Sequence, residues 1–272
     1  MPDEHGPMAD AGHGMIDTHA HLDARAFAND LPGVLERAEA AGVRHIVTVG
    51  TDLESSRAAI RLAEGHGNIW ATVGVHPHDA ARLYPSDVEE LRQLARHPRV
   101  VAIGETGLDF YRDLSPRSAQ MAAFRLHLDL ARDSSLPVII HDRDAHDEVL
   151  QELRRWTAHR PGHEHGVLHC FSGSAAMARE SVELGFCIAV GGPITYHPRG
   201  DLIEALQQVP LERLLLETDC PYLPPEPYRG RRNEPAYLER VAREVARVRW
   251  MPVEELIGAT SANASRLFGG IC

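Results

Sequence analysis

Six side chains of the types that hold divalent cations stand at the ends of short apolar runs. His19 and His21 close the segment Asp17-Thr18-His19-Ala20-His21. Two residues apart on an extended strand, they face one side and can share a metal ion. Asp17 lies on that side too, placed to orient a ligand from behind. Glu105 follows Val-Val-Ala-Ile-Gly, His141 follows Pro-Val-Ile-Ile, His169 follows Gly-Val-Leu, and Asp219 comes just past Leu-Leu-Leu-Glu-Thr. Singly, each has an ordinary explanation: a chance His-x-His among 17 histidines, a helix cap, a satisfied core imidazole. Together, four imidazoles and two carboxylates suffice for two divalent cations if one carboxylate is shared. Two ions about 3.5–4 Å apart activate water and stabilise the attacking and leaving oxygens of a phosphodiester.

Composition narrows the chemistry further. All 28 basic residues are arginine, and the chain has no lysine. That excludes lysine nucleophiles, Schiff bases and the P-loop lysine. It also excludes the carboxylated lysine that bridges two metals in many amidohydrolases, which leaves Glu105 as the natural bridge. With 39 acidic residues the formal net charge is −11, unsuited to coating long duplex DNA. A small basic patch beside an active site remains compatible with it.

The elements that must position these groups are legible from the apolar pattern. Strands are expected at Met15–Thr18, His45–Val49, Ile69–Val75, Val100–Gly104, Val138–His141, Gly166–His169, Phe186–Val190 and Leu214–Glu217. Helical spacing follows each, at Leu31–Ala41, Glu54–Glu64, Val88–Arg96, Pro116–Asp133, Ala145–Ala158, Ala175–Leu184, Asp201–Gln208 and Glu234–Val248. Strands apolar throughout, such as Val138-Ile139-Ile140, suit a parallel sheet covered on both faces. Eight βα units in 272 residues match an α/β protein of the (β/α)₈ TIM-barrel class. No GxGxxG follows the first strand, which argues against a doubly wound open sheet. Pro252–Phe268 reads as one or two additional C-terminal helices. In a barrel, functional residues lie at the strands' C-terminal ends, where all six donors fall.

One domain is expected over residues 15–269, preceded by a disordered extension over 1–14, with Met15 a second possible start. No apolar run reaches the ~18 residues that span a membrane, and the N-terminal stretch lacks a signal-peptide core. Cys170, Cys187, Cys220 and Cys272 have no CxxC spacing, so reduced thiols in a cytoplasmic protein are expected, with no obligate protein partner evident.

Seven segments, in order, resemble the TatD family of metal-dependent deoxyribonucleases. They are Asp-Thr-His-Ala-His-Leu-Asp (17–23), Gly-Val-His-Pro-His (74–78), Gly-Glu-Thr-Gly-Leu-Asp-Phe-Tyr (104–111) and Pro-Val-Ile-Ile-His-Asp-Arg (137–143). His-Cys-Phe-Ser-Gly (169–173), Glu-Thr-Asp-Cys-Pro-Tyr-Leu-Pro-Pro (217–225) and Arg-Gly-Arg-Arg-Asn-Glu-Pro (229–235) complete the set. The resemblance implies a first metal on His19, His21, Glu105 and Asp219, and a second on Glu105, His141 and His169. It also implies that Asp219 orients or deprotonates the attacking water. Arg231 departs from the pattern, standing where many relatives carry lysine; the charge is kept and the donor geometry changes.

Substrate contacts are expected from His76 and His78, and from Arg143, which can pair a phosphate bidentately. The cluster Arg229, Arg231 and Arg232 follows Asp219. Phe110, Tyr111, Tyr222 and Tyr228 are candidates to stack on bases. Asp109 and Glu217 are acids placed to support the ligands. Mixed imidazole and carboxylate donors suit Zn²⁺, Mn²⁺ or Fe²⁺, whereas the resemblance implies Mg²⁺ or Mn²⁺ as activators. The function this implies is hydrolysis of phosphodiesters, from the 3′ end of single-stranded DNA, with RNA or damaged DNA also open. An ester or amide hydrolase, such as a deacylase of misacylated tRNA, is the alternative that would use the same metals.

Overall fold

The computed structural model describes residues 14–158, 164–269 and 271. The expected extension therefore lies, but for Gly14, outside the described residues. Eight parallel strands form one sheet in chain order: β1 (Met15–Ala20), β2 (Val43–Thr48), β3 (Ile69–Val73), β4 (Val100–Asp109), β5 (Val138–Arg143), β6 (Gly166–Leu168), β7 (Phe186–Val190) and β8 (Leu214–Leu216). A bridge between Ala20 and Cys220 joins the β1 and β8 sides and closes the barrel. The connecting helices are α1 (Leu31–Ala40), α2 (Leu53–Gly65), α3 (Pro85–Leu94), α4 (Arg117–Ser134), α5 (His146–Thr157), α6 (Ala175–Glu183), α7 (Gly200–Gln208) and α8 (Leu238–Arg249). The C-terminal stretch forms one further helix, α9 (Val253–Leu267). This is the expected TIM barrel.

Strand alternation divides the apolar residues between two cores. Ile139 of β5, Val167 of β6, Cys187 and Ala189 of β7 and Leu215 of β8 fill the barrel interior. Their neighbours Val138, Ile140, Leu168, Ile188, Leu214 and Leu216 face outward against the helices. Full burial of each such aliphatic side chain contributes roughly 1.5–3 kcal/mol. Leu267 and Phe268 at the end of α9, with Ile271, join the interior cluster beside Ile16 and Val47, on the N-terminal side of the strands. Asn263 holds α9 there by donating to the carbonyls of Leu211 and Leu214 at 2.7 and 2.9 Å. A plug at that end leaves the C-terminal mouth for chemistry.

One buried imidazole fixes the loop after β3. His127 of α4 is fully buried; its Nδ1–H donates to the Ala123 carbonyl at 2.7 Å, and Nε2 accepts from Val75 N–H at 3.0 Å. Burial lowers its pKa to about 4, so it is neutral in the fold. The unfolded chain binds a proton near pH 6.5, so between pH 6.5 and 4 the unfolded state holds more protons than the native one. Stability from this group is complete above pH 6.5 and declines as pH falls through that window, by about 3 kcal/mol. The expected result is a urea midpoint that falls between pH 7 and 4.5 more steeply in the wild type than in His127→Gln. Equal slopes would contradict it.

Candidate metal centre

The alternation that lines the barrel carries straight into its mouth. Two residues beyond Ile139, Val167 and Leu215 come His141, His169 and Glu217, which therefore continue the inward face. On β1 and β4 the simple alternation is interrupted: register shifts fall between Asp17 and Ala20 and between Ile103 and Thr106. There, hydrogen bonds decide the geometry. Asp219 lies just past β8 in the left-handed region (φ 58), and its N–H donates to the His19 carbonyl at 2.9 Å.

Four donor atoms converge on one position. His19 Nε2 and His21 Nε2 are 3.2 Å apart. Glu105 Oε2 lies 3.4 and 3.8 Å from these two nitrogens, and Asp219 Oδ1 lies 3.7 and 3.3 Å from them. A second set gathers on the other oxygen of the same carboxylate. Glu105 Oε1 is 2.9 Å from His141 Nδ1, 2.8 Å from His169 Nε2 and 3.5 Å from His76 Nε2. Donors roughly 2.0–2.2 Å from a common cation would be about 3–3.6 Å apart. Most spacings in the two sets are close to those of a ligand shell, the longest being 3.7 and 3.8 Å in the first. His169 also approaches His19 and Asp219. Its shorter distances, to Glu105 Oε1 and to His141 Nδ1 at 3.3 Å, put it with the second set.

The electrostatics match cation sites. Burial opposes charge on His169, but Glu105 and Glu217 outweigh it and hold its pKa well above the ordinary imidazole value. Burial likewise works against the Glu105 carboxylate, yet His169, His76 and His19 bring its pKa well below normal. For Asp219, burial is again opposed, here by His21 and His19, and its pKa is lowered. His76 differs: burial dominates and lowers its pKa to about 3, which keeps the ring neutral as a lone-pair donor must be. From the sequence His76 is a substrate contact; the structure brings it into the second donor set. A 3₁₀ turn over Pro77–Arg82 places it, because His76 caps that turn.

Behind the donors stand the supporting acids. Asp109 Oδ2 accepts from His141 Nε2 at 3.2 Å and from His78 Nε2 at 2.8 Å, so it aims the opposite ring nitrogen of His141 at Glu105. His78 thus supports the site through Asp109. Glu217 Oε1 accepts from the Cys170 N–H at 2.5 Å and lies 3.5 Å from His169 Nδ1. Asp17 touches no ligand ring. Its buried carboxylate, with a pKa pushed up to about 7 by burial, accepts from Thr218 N–H (2.9 Å), Thr218 Oγ1 (2.6 Å) and His19 N–H (3.3 Å). It ties the segment carrying His19 to that carrying Asp219. Outer partners of metal-binding histidines typically contribute 10–100-fold. Asp109→Ala is expected to lower turnover by about that factor and to weaken metal retention, measured by activity against added metal.

The mouth is a cavity of about 640 Å³, and among the expected contacts His76, His78, Tyr111, Arg143 and Tyr222 line it. The other residues are engaged elsewhere. Arg232 is paired with Asp30 at 2.6 and 2.7 Å, so the expected basic cluster does not face the substrate intact. Arg229 lies over the Tyr196 ring at 4.3 Å, and neither it nor Arg231 lines the cavity. Tyr228 stacks on Tyr237 at 4.0 Å, and Phe110 is covered by Arg117 at 4.2 Å. Arg112 and Asp23, unassigned from the sequence, do line it. Arg112 has only its adjacency to Tyr111 as a sequence signal, whereas Asp23 closes the segment Asp-Thr-His-Ala-His-Leu-Asp.

A TIM barrel whose mouth gathers imidazoles and carboxylates around two adjoining positions defines a metal-dependent hydrolase. Comparison with known proteins agrees: the family model of the TatD-related DNases matches residues 16–269. The chain is 42% identical over 254 residues to the uncharacterized metal-dependent hydrolase YabD of Bacillus subtilis, covering 93% of this chain and 98% of that one. It is 44% identical over 260 residues to a Klebsiella pneumoniae protein named 3′-5′ ssDNA/RNA exonuclease TatD, covering 94% and 98%. The crystal structure of YjjV, a TatD homologue from Escherichia coli K12, superposes with a TM-score of 0.87 at 36% identity, over 93% of this chain and 97% of that one. The chain belongs to the TatD-related DNase family and is a metal-dependent nuclease. Among the described residues, no helix is long and apolar enough to cross a membrane.

Proposed function

We propose that the protein is a 3′→5′ exonuclease acting on single-stranded DNA, and on RNA where it fits, with two divalent cations in the mouth. His19, His21, Glu105 and Asp219 hold one; Glu105, His141 and His169 hold the second, with His76 completing that set. The observation that carries this reading is Glu105: each of its oxygens addresses a separate group of donors. Bound Mg²⁺ or Mn²⁺, or Zn²⁺, would supply Lewis acidity to the phosphodiester and to water. The chain's own residues do the rest. Asp219, ionised and at the rim of the first set, orients the attacking water and takes its proton. Asp109 keeps His141 in the tautomer that directs a lone pair inward, and Glu217 stands beside His169 as a negative charge. Arg143 pairs a phosphate, and Tyr222, edge-on to His21 at 5.6 Å, offers its exposed ring to a base. The relatives named as 3′-5′ ssDNA/RNA exonucleases support the polarity and the substrate. We place the protein in the cytoplasm, where the free thiols of Cys170, Cys187 and Cys220 stay reduced.

The test is digestion of a 5′-labelled single-stranded oligonucleotide with Mg²⁺, Mn²⁺ or EDTA. The expected result is a metal-dependent ladder that shortens one nucleotide at a time. An intact strand under every metal would overturn the reading, and cleavage of aminoacyl esters instead would identify a deacylase.

A further inference from the structure

The rim of the mouth is chemically lopsided. In a ring of eight strands, the β4/β5 edge lies across from the β8/β1 edge. The β4/β5 edge carries Tyr111, Arg112 and Arg143, all exposed, with the Arg143 guanidinium 5.2 Å from the centre of the Tyr111 ring. Neither arginine is in an ion pair with a described residue. The β8/β1 edge carries Tyr222 and the carboxylate of Asp23, both of which line the cavity, with the Tyr222 ring 5.6 Å from that of His21. None of the ion pairs among the described residues engages Asp23, and it serves neither donor set. Arg229 and Arg231 follow on the same loop but lie outside the cavity lining.

A single strand cut near its 3′ end is lopsided in the complementary way. Upstream of the scissile bond every nucleotide adds a phosphate. Downstream, the terminal nucleotide ends in an uncharged hydroxyl, which is a hydrogen-bond donor. We propose that the Tyr111, Arg112 and Arg143 wall carries the upstream strand, and that Asp23 accepts a hydrogen bond from the free 3′-hydroxyl while Tyr222 stacks on the terminal base. The inference rests on the exonuclease reading and sharpens its substrate to a 3′-hydroxyl-terminated strand. A terminal phosphate, carrying about −1.5 to −2 charges at neutral pH, would meet the Asp23 carboxylate and be rejected.

The experiment compares 5′-labelled oligonucleotides of one sequence ending in 3′-hydroxyl, 3′-deoxy or 3′-phosphate, with Mn²⁺. Initial rates of removal of the last nucleotide are measured for the wild type, Asp23→Asn and Asp23→Ala. Rates are compared only within each protein, so a general loss of activity cancels. The wild type is expected to prefer the hydroxyl end over the phosphate end by about tenfold or more, the effect of one hydrogen bond to a charged group. Asp23→Ala is expected to reduce that preference below about threefold. Asp23→Asn, isosteric and uncharged, is expected to admit the phosphate end while still favouring hydroxyl over deoxy. A wild type indifferent to the end group, or an Asp23→Ala protein with the wild-type ratio, overturns the assignment while the 3′→5′ ladder still stands. Absence of that ladder on every strand overturns the exonuclease reading itself, and this inference with it.

Discussion

Replacing Glu105 with alanine is expected to lower metal-dependent hydrolysis by at least about 10³-fold, comparable to the loss of a principal electrostatic element of an active site. The reason is its double engagement. One buried carboxylate, 3% exposed, supplies an oxygen to each donor set. Without it, His141 Nδ1 and His169 Nε2 remain 3.3 Å apart with no anion between them, and His19 and His21 retain only Asp219. Metal content measured by mass spectrometry should fall along with turnover. Glu105→Gln keeps the shape and one carbonyl oxygen, so it should retain part of one set and less activity than the wild type. A Glu105→Ala protein that keeps its metal-dependent activity would remove the shared carboxylate from the mechanism.

Gly107→Ala is expected to destabilise the protein by about 3–5 kcal/mol, a large part of the 5–15 kcal/mol typical of a domain. Two effects add. Gly107 has φ +139, a conformation L-residues rarely adopt, and a Cβ there would sit 2.0 Å from the His141 carbonyl oxygen. That oxygen belongs to the backbone of β5, so the strand itself must move, and with it a proposed ligand. Neighbouring Gly104 has φ +135, and a Cβ added to it would lie 2.6 Å from the Ile139 carbonyl oxygen, so β4 runs unusually close to β5 along this stretch. Thermal unfolding should show the midpoint lowered by roughly 5–10 °C for a protein of this size. The folded fraction should also show reduced metal affinity. An unchanged midpoint would show that β4 can withdraw from β5 without cost.

The barrel and most of the donors are legible along the chain. Apolar runs alternating with helical spacing are local signals, so all eight strands and their order can be read from them. Where alternation continues unbroken, as from Ile139 to His141 and from Val167 to His169, periodicity also assigns the inward side. The interruptions on β1 and β4 remove that guide. Periodicity therefore gives Asp17 the outlook of His19, whereas its carboxylate bonds Thr218, 201 residues away. The surface contacts show the same limit. Arg232 is one of a basic cluster in the sequence, yet its charge is taken by Asp30, 202 positions earlier. Tyr228 and Phe110 carry suitable rings, but Tyr237 and Arg117 already occupy them. His76 shares a His-x-His spacing with His78, but that spacing does not separate a metal donor from a substrate contact, and the loop is placed by the His127 imidazole of α4 bonding Val75. Periodicity and residue type travel along the chain and set the fold and the donor inventory. Which donors share a cation, which charges are already neutralised and which rings face the cavity belong to the tertiary structure, because they depend on through-space distances between residues that closure of the barrel brings together.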